Sequence, residues 1–229
     1  MEELKLRRKM GVSGRLVFET AWRVGTGKEG MTLSDLGVLL DPAGHPVLPG
    51  SSLKGKLRSI CETLAHALDL TACLLNAKAS GVPCVSDVKD FRDDTKRKKE
   101  QDTAMEAGPA AQLKWIADNT CDVCKLFGSP ARSAKLRCAD GKIENADAAI
   151  VQVRDGVVLD RDSHTAVSGL KCDYEVIPAG TSFGVQFDLD NANDADEALF
   201  GAALFEWCAG SSLGGFTSRG LGRFRLDRI

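Results

Sequence analysis

The chain has 229 residues, of which 30 are Lys or Arg and 32 are Asp or Glu, for a formal net charge of −2. This length can bury a full core as one large domain or two small ones, and the balanced charge excludes a protein that is basic throughout. Binding to nucleic acid would therefore depend on local basic clusters. The opening MEELKLRRKM has no apolar stretch and no run is long enough to span a bilayer, which predicts a cytoplasmic protein without a secretory signal.

The first part of the chain has strand character. Residues 13–24, SGRLVFETAWRV, alternate so that Leu16, Phe18 and Ala21 point inward, which predicts a strand. Residues 37–50 predict two short strands that are joined by an Asp-Pro-Ala-Gly turn.

A helix is predicted from LPGSSLKGKLRS, residues 48–59. Ser51 or Ser52 is suited to cap this helix, and Lys54 and Arg58 lie one turn apart on it. Its apolar residues fall at helical spacing and predict one buried face: Leu53, Leu57, Ile60, Cys61, Leu64 and Leu68. Free N–H groups and the positive end of the helix dipole predict an anion-binding site at this N-terminus. The alternative is an ordinary capped surface helix with solvated lysines.

The middle and the end of the chain predict the remaining elements. Residues 69–120 include a polar segment dense in both charges, which we interpret as a partly mobile insertion rather than core. Beyond it we expect a strand near 134–139, a projecting hairpin over 146–169 and two strands over 174–190. An acidic first turn and an apolar face predict a helix over 194–208, before a last strand. Without the insertion, this order of elements is that of an α+β, ferredoxin-like fold.

The glycine-rich stretch GGFTSRGLGRFRL, residues 214–226, is a second candidate anion site. Thr217, Ser218 and Arg219 supply hydrogen-bond donors, and the glycines around them let a backbone approach a ligand closely. These glycines are Gly214, Gly215, Gly220 and Gly222. In a ferredoxin-like domain this loop can lie near the first helix, and two adjacent anion sites suit a nucleic-acid backbone. The alternative is a flexible connection between a helix and a strand.

The cysteines predict a metal site. Cys121 and Cys124 form a Cys-x-x-Cys pair, which is half of a typical zinc site. The other ligands must come from four residues nearer the N-terminus: Cys61, His66, Cys73 and Cys84. We favour Cys73 and Cys84, which lie in the loop-rich region after the first helix, because a metal there could replace the core that the insertion lacks. The alternative is four reduced cysteines. Three others are expected in the core: Cys138, Cys172 and Cys208.

Four stretches of the sequence, taken in order, resemble one known family. They are LPGSSLKGKLRS, DVCKLFGSPARSAKLRCADG, VLDRDSHTAVSG followed by YEVIPAGTSF, and GGFTSRGLGRFRL. The second is similar to the family's LFGS…SRL…RDA region and the third to its IDR.T..A…E.VPAG..F region. The chain resembles the RAMP superfamily of CRISPR-associated proteins and, more narrowly, the repeated backbone subunit of type III CRISPR effector complexes. The similarity covers about residues 13–229 and is poor only in the charged insertion, at about 85–115.

The resemblance implies a single RAMP domain over residues 1–229. Its core would be ferredoxin-like, similar to an RNA-recognition motif, with a zinc-containing insertion at about 69–124 and a β-hairpin thumb at about 143–169. Such subunits stack along a guide RNA that pairs with target RNA, so the implied partners are guide RNA, single-stranded target RNA and other RAMP subunits, without a membrane. Related subunits carry a structural zinc with cysteine and histidine ligands, which keeps His66 as an alternative ligand.

The resemblance also implies which residues contact RNA. The family's GSS helix and glycine-rich loop hold the guide's phosphates and sugars. This role is carried over to eight residues here: Ser51, Ser52, Lys54, Arg58, Gly215, Thr217, Ser218 and Arg219. The family's thumb wedges between guide and target and flips out one base pair. Four valines could do so here, unless they are simply strand core residues: Val151, Val153, Val157 and Val158.

Active members of the family cut the target RNA with one aspartate in the loop before the helix and a divalent metal. In SDLGVLLDPAGHPVLPGSS, Asp35 matches the catalytic position and Asp41 matches a turn aspartate. The implied activity is a metal-dependent endoribonuclease that uses Mg²⁺ or Mn²⁺ and leaves a 2′,3′-cyclic phosphate. The alternative is that Asp35 is only a loop acid in a non-catalytic filament subunit. A guide-processing ribonuclease is less favoured because its usual histidine chemistry has no obvious pair among His45, His66 and His164.

Overall fold

The computed structural model describes residues 5–27, 35–75, 80–82, 84–85 and 95–229. The strands are β1 (Lys9–Phe18), β2 (Leu136–Cys138), β3 (Lys142–Ile143), β4 (Gln152–Leu159), β5 (Ala166–Val176), β6 (Ser182–Asp190), β7 (Ser211–Ser212) and β8 (Arg223–Arg228). The helices are α1 (Gly50–Leu64), α2 (Thr95–Glu106), α3 (Pro109–Asp118), α4 (Asp122–Phe127) and α5 (Asp194–Ala209). In these parts of the chain, none of the helices combines the length and the apolar character that crossing a bilayer requires.

The architecture is mixed α/β with an antiparallel sheet. The main sheet has the strand order β2-β6-β1-β8-β7, and β3 also pairs with β6. Phe18 of β1 lies opposite Phe224 of β8, and Leu136 of β2 lies opposite Leu189 of β6. Strands β4 and β5 form a separate two-stranded antiparallel hairpin. The alternation of buried and exposed residues along β6 is typical of a sheet with one apolar face.

The chain divides into two compact units. The first consists of Met1–Val12, Lys54–Cys138 and Phe187–Glu206. Within it, Phe187 and Phe200 pack edge to face with 5.6 Å between their ring centroids. Its buried apolar side chains come mainly from α1, α4 and α5 and include Leu57, Cys61, Leu126, Leu199 and Ala203.

The second unit consists of Ser13–Leu53, Ala139–Gln186 and Trp207–Ile229. It is built around aromatic rings. Phe18 stacks on Trp22 with 4.4 Å between the ring centroids and an interplanar angle of 9°. Other rings join this cluster edge to face: Phe183, Phe224 and Trp207.

The predicted helices on either side of the insertion are confirmed. Helix α1 buries Leu53, Leu57 and Cys61 completely, as their spacing predicts. Helix α5 buries the predicted face with Leu199, Ala203, Leu204 and Trp207. The predicted alternation along β6 is confirmed as well, because every second residue is buried: Phe183, Val185, Phe187 and Leu189.

Several predicted strand boundaries are wrong. Strand β1 begins at Lys9 and ends at Phe18, where the sequence predicted 13–24. The two short strands predicted over 37–50 are reduced to isolated bridges such as that between Leu40 and Pro46. Proline has no N–H group for a ladder, which limits how far such a pair can extend.

The hairpin also begins later than predicted. Its strands are β4 and β5, so it spans Gln152–Val176 rather than 143–169. The residues before it belong to the main sheet, where Ile143 pairs with Phe183. Asn145 strengthens this attachment, because its Oδ1 accepts the backbone N–H of Ser182 over 2.8 Å.

The predicted insertion is partly helical. Helices α2 and α3 both lie in it. The sequence of α2, TKRKKEQDTAME, is rich in strong helix formers, so it is helical without a periodic apolar face. The charged stretch before α2, residues 86–94, lies outside the described residues. The mobility predicted for it therefore stays a prediction.

Candidate functional site

Asp35 lies at the start of a short segment that is held against the hairpin strand β5. Its side chain is exposed, and its Oδ2 accepts the backbone N–H of Asp173 over 3.0 Å. Next to it, Leu36 pairs with Tyr174, and the N–H of Glu175 donates to the Leu36 carbonyl over 3.0 Å. The carboxylate predicted to be catalytic is therefore fixed at the base of the hairpin by backbone contacts.

The segment after Asp35 is held by two buried charged residues that the sequence analysis did not identify. Arg23 is 7% exposed, and its Nη2 donates to the carbonyls of Leu36 and Gly37 over 3.1 and 3.2 Å. Glu175 is also 7% exposed, and its Oε2 accepts the N–H of Val38 over 2.8 Å. Burial lowers the pKa of Arg23, and the charge of Glu175 helps to offset this effect. The signal in the sequence was an arginine inside the apolar stretch AWRV.

Asp41 forms the turn that the sequence predicted. Its Oδ1 accepts the backbone N–H groups of Ala43 and His45 over 2.9 and 2.8 Å. The N–H of His45 is the main reason why the pKa of Asp41 lies below its usual value. Asp41 thus stabilises the turn by accepting two backbone N–H groups. Asp35 is exposed, and its Oδ2 accepts one backbone N–H group.

Helix α1 begins at Gly50, two residues before the Ser52 start that a Ser51 cap requires. Ser51 is exposed and Ser52 is half-buried, and both lie within the first turn, so the prediction that one of them caps the helix is wrong. The Gly50 N–H instead donates to Oδ1 of Asp140 over 2.7 Å. An acidic side chain thus satisfies one of the free N–H groups at this N-terminus. Lys54, in the next turn, is half-buried.

Arg58 points toward the cysteines. Its Nε donates to Glu62 over 2.8 Å, and its Nη2 lies 3.2 Å from Sγ of Cys124. Its side chain is only 22% exposed. Burial lowers the pKa of Arg58, but the hydrogen bond to Glu62 and the charge of Cys124 outweigh this effect and raise it. The structure thus gives this predicted RNA contact two protein partners.

The glycine-rich loop is compact. Thr217–Arg219 form a 3-10 turn, and all three side chains are exposed. A Cβ atom on Gly214 would lie 2.1 Å from the Arg23 carbonyl oxygen, so internal packing requires that glycine. Gly215 has ordinary contact distances to Arg23, and its N–H donates to the Arg23 carbonyl over 2.9 Å. The side chains of Thr217, Ser218 and Arg219 are therefore exposed on a loop whose backbone is fixed by internal packing.

Four cysteines form a buried cluster that could hold a metal such as zinc. The Sγ atoms of Cys73, Cys84, Cys121 and Cys124 all lie within 4.8 Å of one another, and each residue is at most 3% exposed. Sγ of Cys73 lies 3.7 Å from Sγ of Cys124. A tetrahedral zinc with Zn–S bonds of about 2.3 Å separates its sulfurs by about 3.8 Å, so the residues fit this metal.

The surroundings of the cluster favour a cation. Neighbouring sulfurs, that of Cys124 first, raise the pKa of the Cys121 thiol, so full ionisation of the cluster needs a compensating charge. The backbone N–H of Cys121 donates to Sγ of Cys84 over 3.4 Å. His66, the alternative ligand, is exposed in a 3-10 turn and does not belong to this cluster.

The other cysteines do not all lie in the core. Cys61 is buried, whereas Cys138 is half-buried and Cys172 and Cys208 are exposed, so their predicted burial is wrong. Cys172 lies in a hairpin strand whose side chains are largely exposed, and Cys208 lies on the exposed side of α5.

The hairpin exposes apolar side chains. Val153, Val157 and Val158 are 55%, 54% and 50% exposed, and Val151 is half-buried. Val153, Val157 and Val158 are therefore not strand core residues, the alternative that the sequence left open for the four valines.

Known proteins share both the sequence and the fold. A family model described as the RAMP superfamily matches residues 15–225. A relative from Methanocaldococcus jannaschii is named CRISPR system Cms endoribonuclease Csm3. It is 25% identical over an alignment of 248 positions, gaps included, which covers 100% of this chain and 83% of the relative. A protein of the same name from Methanothermobacter thermautotrophicus is 23% identical over 257 residues, covering 99% and 86%.

A solved structure has the same fold. The chain superposes on one from a type III-B Cmr-beta complex, determined by cryo-electron microscopy in the apo state, with a TM-score of 0.57 and 13% identity. The match covers 96% of this chain and 97% of that one. Since the family model spans nearly the whole sequence, this chain belongs to the RAMP superfamily.

Proposed function

We propose that this chain is a backbone subunit of a type III CRISPR effector complex, which binds guide RNA along its phosphate backbone and cuts complementary target RNA. Its membership of the RAMP superfamily and its full-length similarity to two relatives named Csm3 support this role. Its partners are guide RNA, single-stranded target RNA and other RAMP subunits, and its compartment is the cytoplasm.

The proposed core is ferredoxin-like. The elements β1, α1, β2, β6, α5 and β8 follow the order strand, helix, strand, strand, helix, strand. The sheet order β2-β6-β1-β8 supports this topology. In this proposal the chain is one RAMP domain, the segment at about 69–124 is its zinc-containing insertion and the hairpin of β4 and β5 is its thumb.

The chemistry is assigned to Asp35. Its exposed position at the base of the hairpin is the observation that carries the proposal, because a thumb that flips a target nucleotide there would bring a strained phosphate near this carboxylate. The 2′-oxygen attacks the adjacent phosphorus and the bond to the 5′-oxygen breaks. The 2′-hydroxyl proton passes to solvent and the leaving 5′-oxygen takes a proton from solvent. The products are a 2′,3′-cyclic phosphate and a 5′-hydroxyl.

Asp35 could serve this step in two ways. Its carboxylate can hold a divalent cation or orient the attacking 2′-hydroxyl. Mg²⁺ or Mn²⁺, when bound, would neutralise the charge that develops on the phosphate. The hydrogen bond from Asp173 occupies one lone pair of Oδ2, and a carboxylate retains acceptor capacity on both oxygens for either role.

The guide backbone is assigned to exposed and half-buried residues of two elements. Ser51, Ser52 and Lys54 lie on the first two turns of α1, and Thr217, Ser218 and Arg219 with Gly215 lie in the glycine-rich loop. Contacts of this kind hold phosphates and sugars without reading the bases. Arg58 is the weakest member of the predicted set, because Glu62 and Cys124 already engage its guanidinium. The exposed valines of the hairpin are assigned to the wedge between guide and target.

The metal of the four-cysteine cluster is proposed to be a structural zinc. Four cysteines form a closed ligand set that leaves no position for substrate, which is typical of structural rather than catalytic zinc. Cys73, Cys84, Cys121 and Cys124 would then join both ends of the insertion.

One observation favours a second function, that of a non-catalytic filament subunit. Oδ2 of Asp35 anchors the backbone of Asp173, so the carboxylate already has a structural purpose. A subunit could keep this aspartate for its fold and still bind guide and target without cutting. In the described structure His45 is engaged by Asp41 and His66 is exposed in a turn, which gives no support to a guide-processing ribonuclease.

The deciding experiment compares wild type with Asp35→Ala in the assembled complex. Cutting of guide-complementary RNA is measured with Mg²⁺, with Mn²⁺ and with EDTA, and target binding is measured in parallel. Loss of cutting with normal binding supports catalysis by Asp35. Equal cutting by both proteins contradicts that assignment, and binding without cutting by wild type supports the non-catalytic filament. Asp194→Ala, at an exposed aspartate of α5, is the matched control.

A further inference from the structure

Arg23 connects two loops to which the proposed function gives different tasks. On one side, its Nη2 holds the carbonyls of Leu36 and Gly37, directly after Asp35. On the other side, its own carbonyl accepts the N–H of Gly215, and its guanidinium carbon lies 5.1 Å from the centre of the Phe216 ring. One buried residue therefore contacts both the segment that carries the candidate catalytic acid and the glycine-rich loop.

The contact with the glycine-rich loop continues to the surface. Arg219, an exposed candidate guide contact, places its guanidinium carbon 4.7 Å from the centre of the same Phe216 ring. Cations near an aromatic ring are attracted to its face. Phe216 also meets Tyr174 edge to face, with 5.0 Å between the ring centroids. Arg219, Phe216 and Arg23 thus form a continuous series from solvent to the carbonyls of the Asp35 segment.

Two features indicate that this arrangement is held by its neighbours rather than by local preference. Phe216 has a φ of 59°, a left-handed conformation that a bulky residue adopts only when its surroundings fix it. Nε of Arg23 is buried and has no hydrogen-bond partner among the described residues. A buried arginine with an unsatisfied N–H is costly, so apolar packing alone does not explain why an arginine lies here.

We propose that Arg23 is a positioning residue, which fixes the segment carrying Asp35 when the guide backbone occupies the glycine-rich loop. This inference rests on the proposed function for the identity of the ligand. The guide would bind Arg219, which contacts the Phe216 ring. The position of that ring would in turn fix the Arg23 guanidinium, which contacts the same ring. Arg23 makes no contact with the reacting atoms and acts only through the backbone of Leu36 and Gly37.

The first test measures hydrogen exchange in the full chain, with and without guide RNA. We compare peptides covering 36–39 and 213–222 in wild type, Arg23→Met and Phe216→Leu. In wild type the guide is expected to slow exchange in both peptides. In either variant the guide should slow exchange in 213–222 only. Guide-dependent protection of 36–39 that persists in both variants, or that is missing in wild type, would overturn the inference.

The second test measures single-turnover cutting of target RNA by the assembled complex. Arg23→Met should cut up to about 100-fold more slowly at unchanged guide affinity, because small displacements of an acting group cost rates of this order. Arg23→Lys should recover only part of the rate, since an ammonium cannot reproduce the planar fork. Arg225→Met, at an exposed arginine of β8, is the control and should cut like wild type.

The outcomes separate this inference from the proposed function. If Asp35→Ala cuts like wild type, the catalytic assignment fails, while the exchange measurement still decides the role of Arg23. If Arg23→Met abolishes guide binding, Arg23 belongs to the guide loop alone and the inference is overturned. Should Arg23→Met prove too unstable to study, Phe216→Leu keeps an apolar side chain and tests the same connection.

Discussion

The backbone N–H of Asp173 donates a hydrogen bond to Oδ2 of Asp35 over 3.0 Å, although 138 positions separate the two residues in the chain. This bond attaches the only exposed acid of the segment 35–39 to the hairpin strand β5. It therefore brings Asp35 next to the hairpin, and the proposed function needs these two elements at one place.

Asp35→Asn separates the charge of this residue from its hydrogen bond. The amide oxygen of the new side chain can still accept the N–H of Asp173, so the melting temperature should stay within about 2 °C of wild type. Cutting should fall by about 100-fold or more, because a neutral amide neither binds a divalent cation tightly nor holds the 2′-hydroxyl as strongly as a charged carboxylate does. Differential scanning fluorimetry and single-turnover cutting check the two parts. An Asp35→Asn protein that melts more than about 2 °C below wild type and cuts at the wild-type rate would contradict both parts of the prediction.

Cys124→Ser should remove the metal. A serine hydroxyl is a poor zinc ligand, so zinc content should fall from about one ion per chain toward zero. The melting temperature should fall by about 4–8 °C if at least about 2 kcal/mol of stability is lost. Elemental analysis and thermal unfolding measure these changes, with Cys208→Ser at an exposed position as the control. Wild-type protein that purifies without metal and melts like Cys124→Ser would contradict this prediction.

Arg58→Met should weaken metal retention. The guanidinium lies 3.2 Å from Sγ of Cys124, where its positive charge compensates thiolates of a four-cysteine site. Residues that contact metal ligands in this way change affinity by about 10- to 100-fold. Zinc transfer to a chromogenic chelator measures the change, and cobalt absorption reports the geometry of the site. Lys56→Met is the control on the same helix, and equal zinc loss from both variants would exclude a specific role for Arg58.

Thiol reactivity should follow burial. Burial raises the pKa of Cys61 and of Cys138 to about 12, so at pH 8 only about one in 10⁴ of these thiols is ionised. The exposed Cys172 and Cys208 should therefore be alkylated first in the native protein. Timed alkylation followed by peptide mass spectrometry gives the order. Rapid labelling of Cys61 without denaturant would contradict its buried position.

Asp196→Ala should destabilise the first unit. Asp196 is 3% exposed, forms an ion pair with Lys135 and accepts the N–H of Asn193 over 3.0 Å, while its own N–H donates to Oδ1 of Asn193. These bonds cap α5, and truncating one partner of a buried ion pair costs about 3–5 kcal/mol. Urea unfolding measures the loss. Asp194→Ala, at an exposed position of the same turn, should cost less than about 0.5 kcal/mol.

Local patterns in the sequence predicted two helices and one strand of the main sheet well. The spacing of Leu53, Leu57 and Cys61 indicated a helix, and the alternation from Phe183 to Leu189 indicated a strand, because these periods depend on one element and its own buried face. The Cys-x-x-Cys pair predicted half of the metal site because its two ligands lie in one short segment of the chain. The order of the family motifs predicted the superfamily, which the family model confirms.

Only the tertiary structure decided which distant groups meet. It brought Cys73 and Cys84 to Cys121 and Cys124, turned Arg58 toward that cluster, and set Asp140 rather than a serine at the start of α1. It also buried Arg23 between two loops. Such contacts join residues far apart in the chain, and their energies depend on desolvation and packing that no local period encodes.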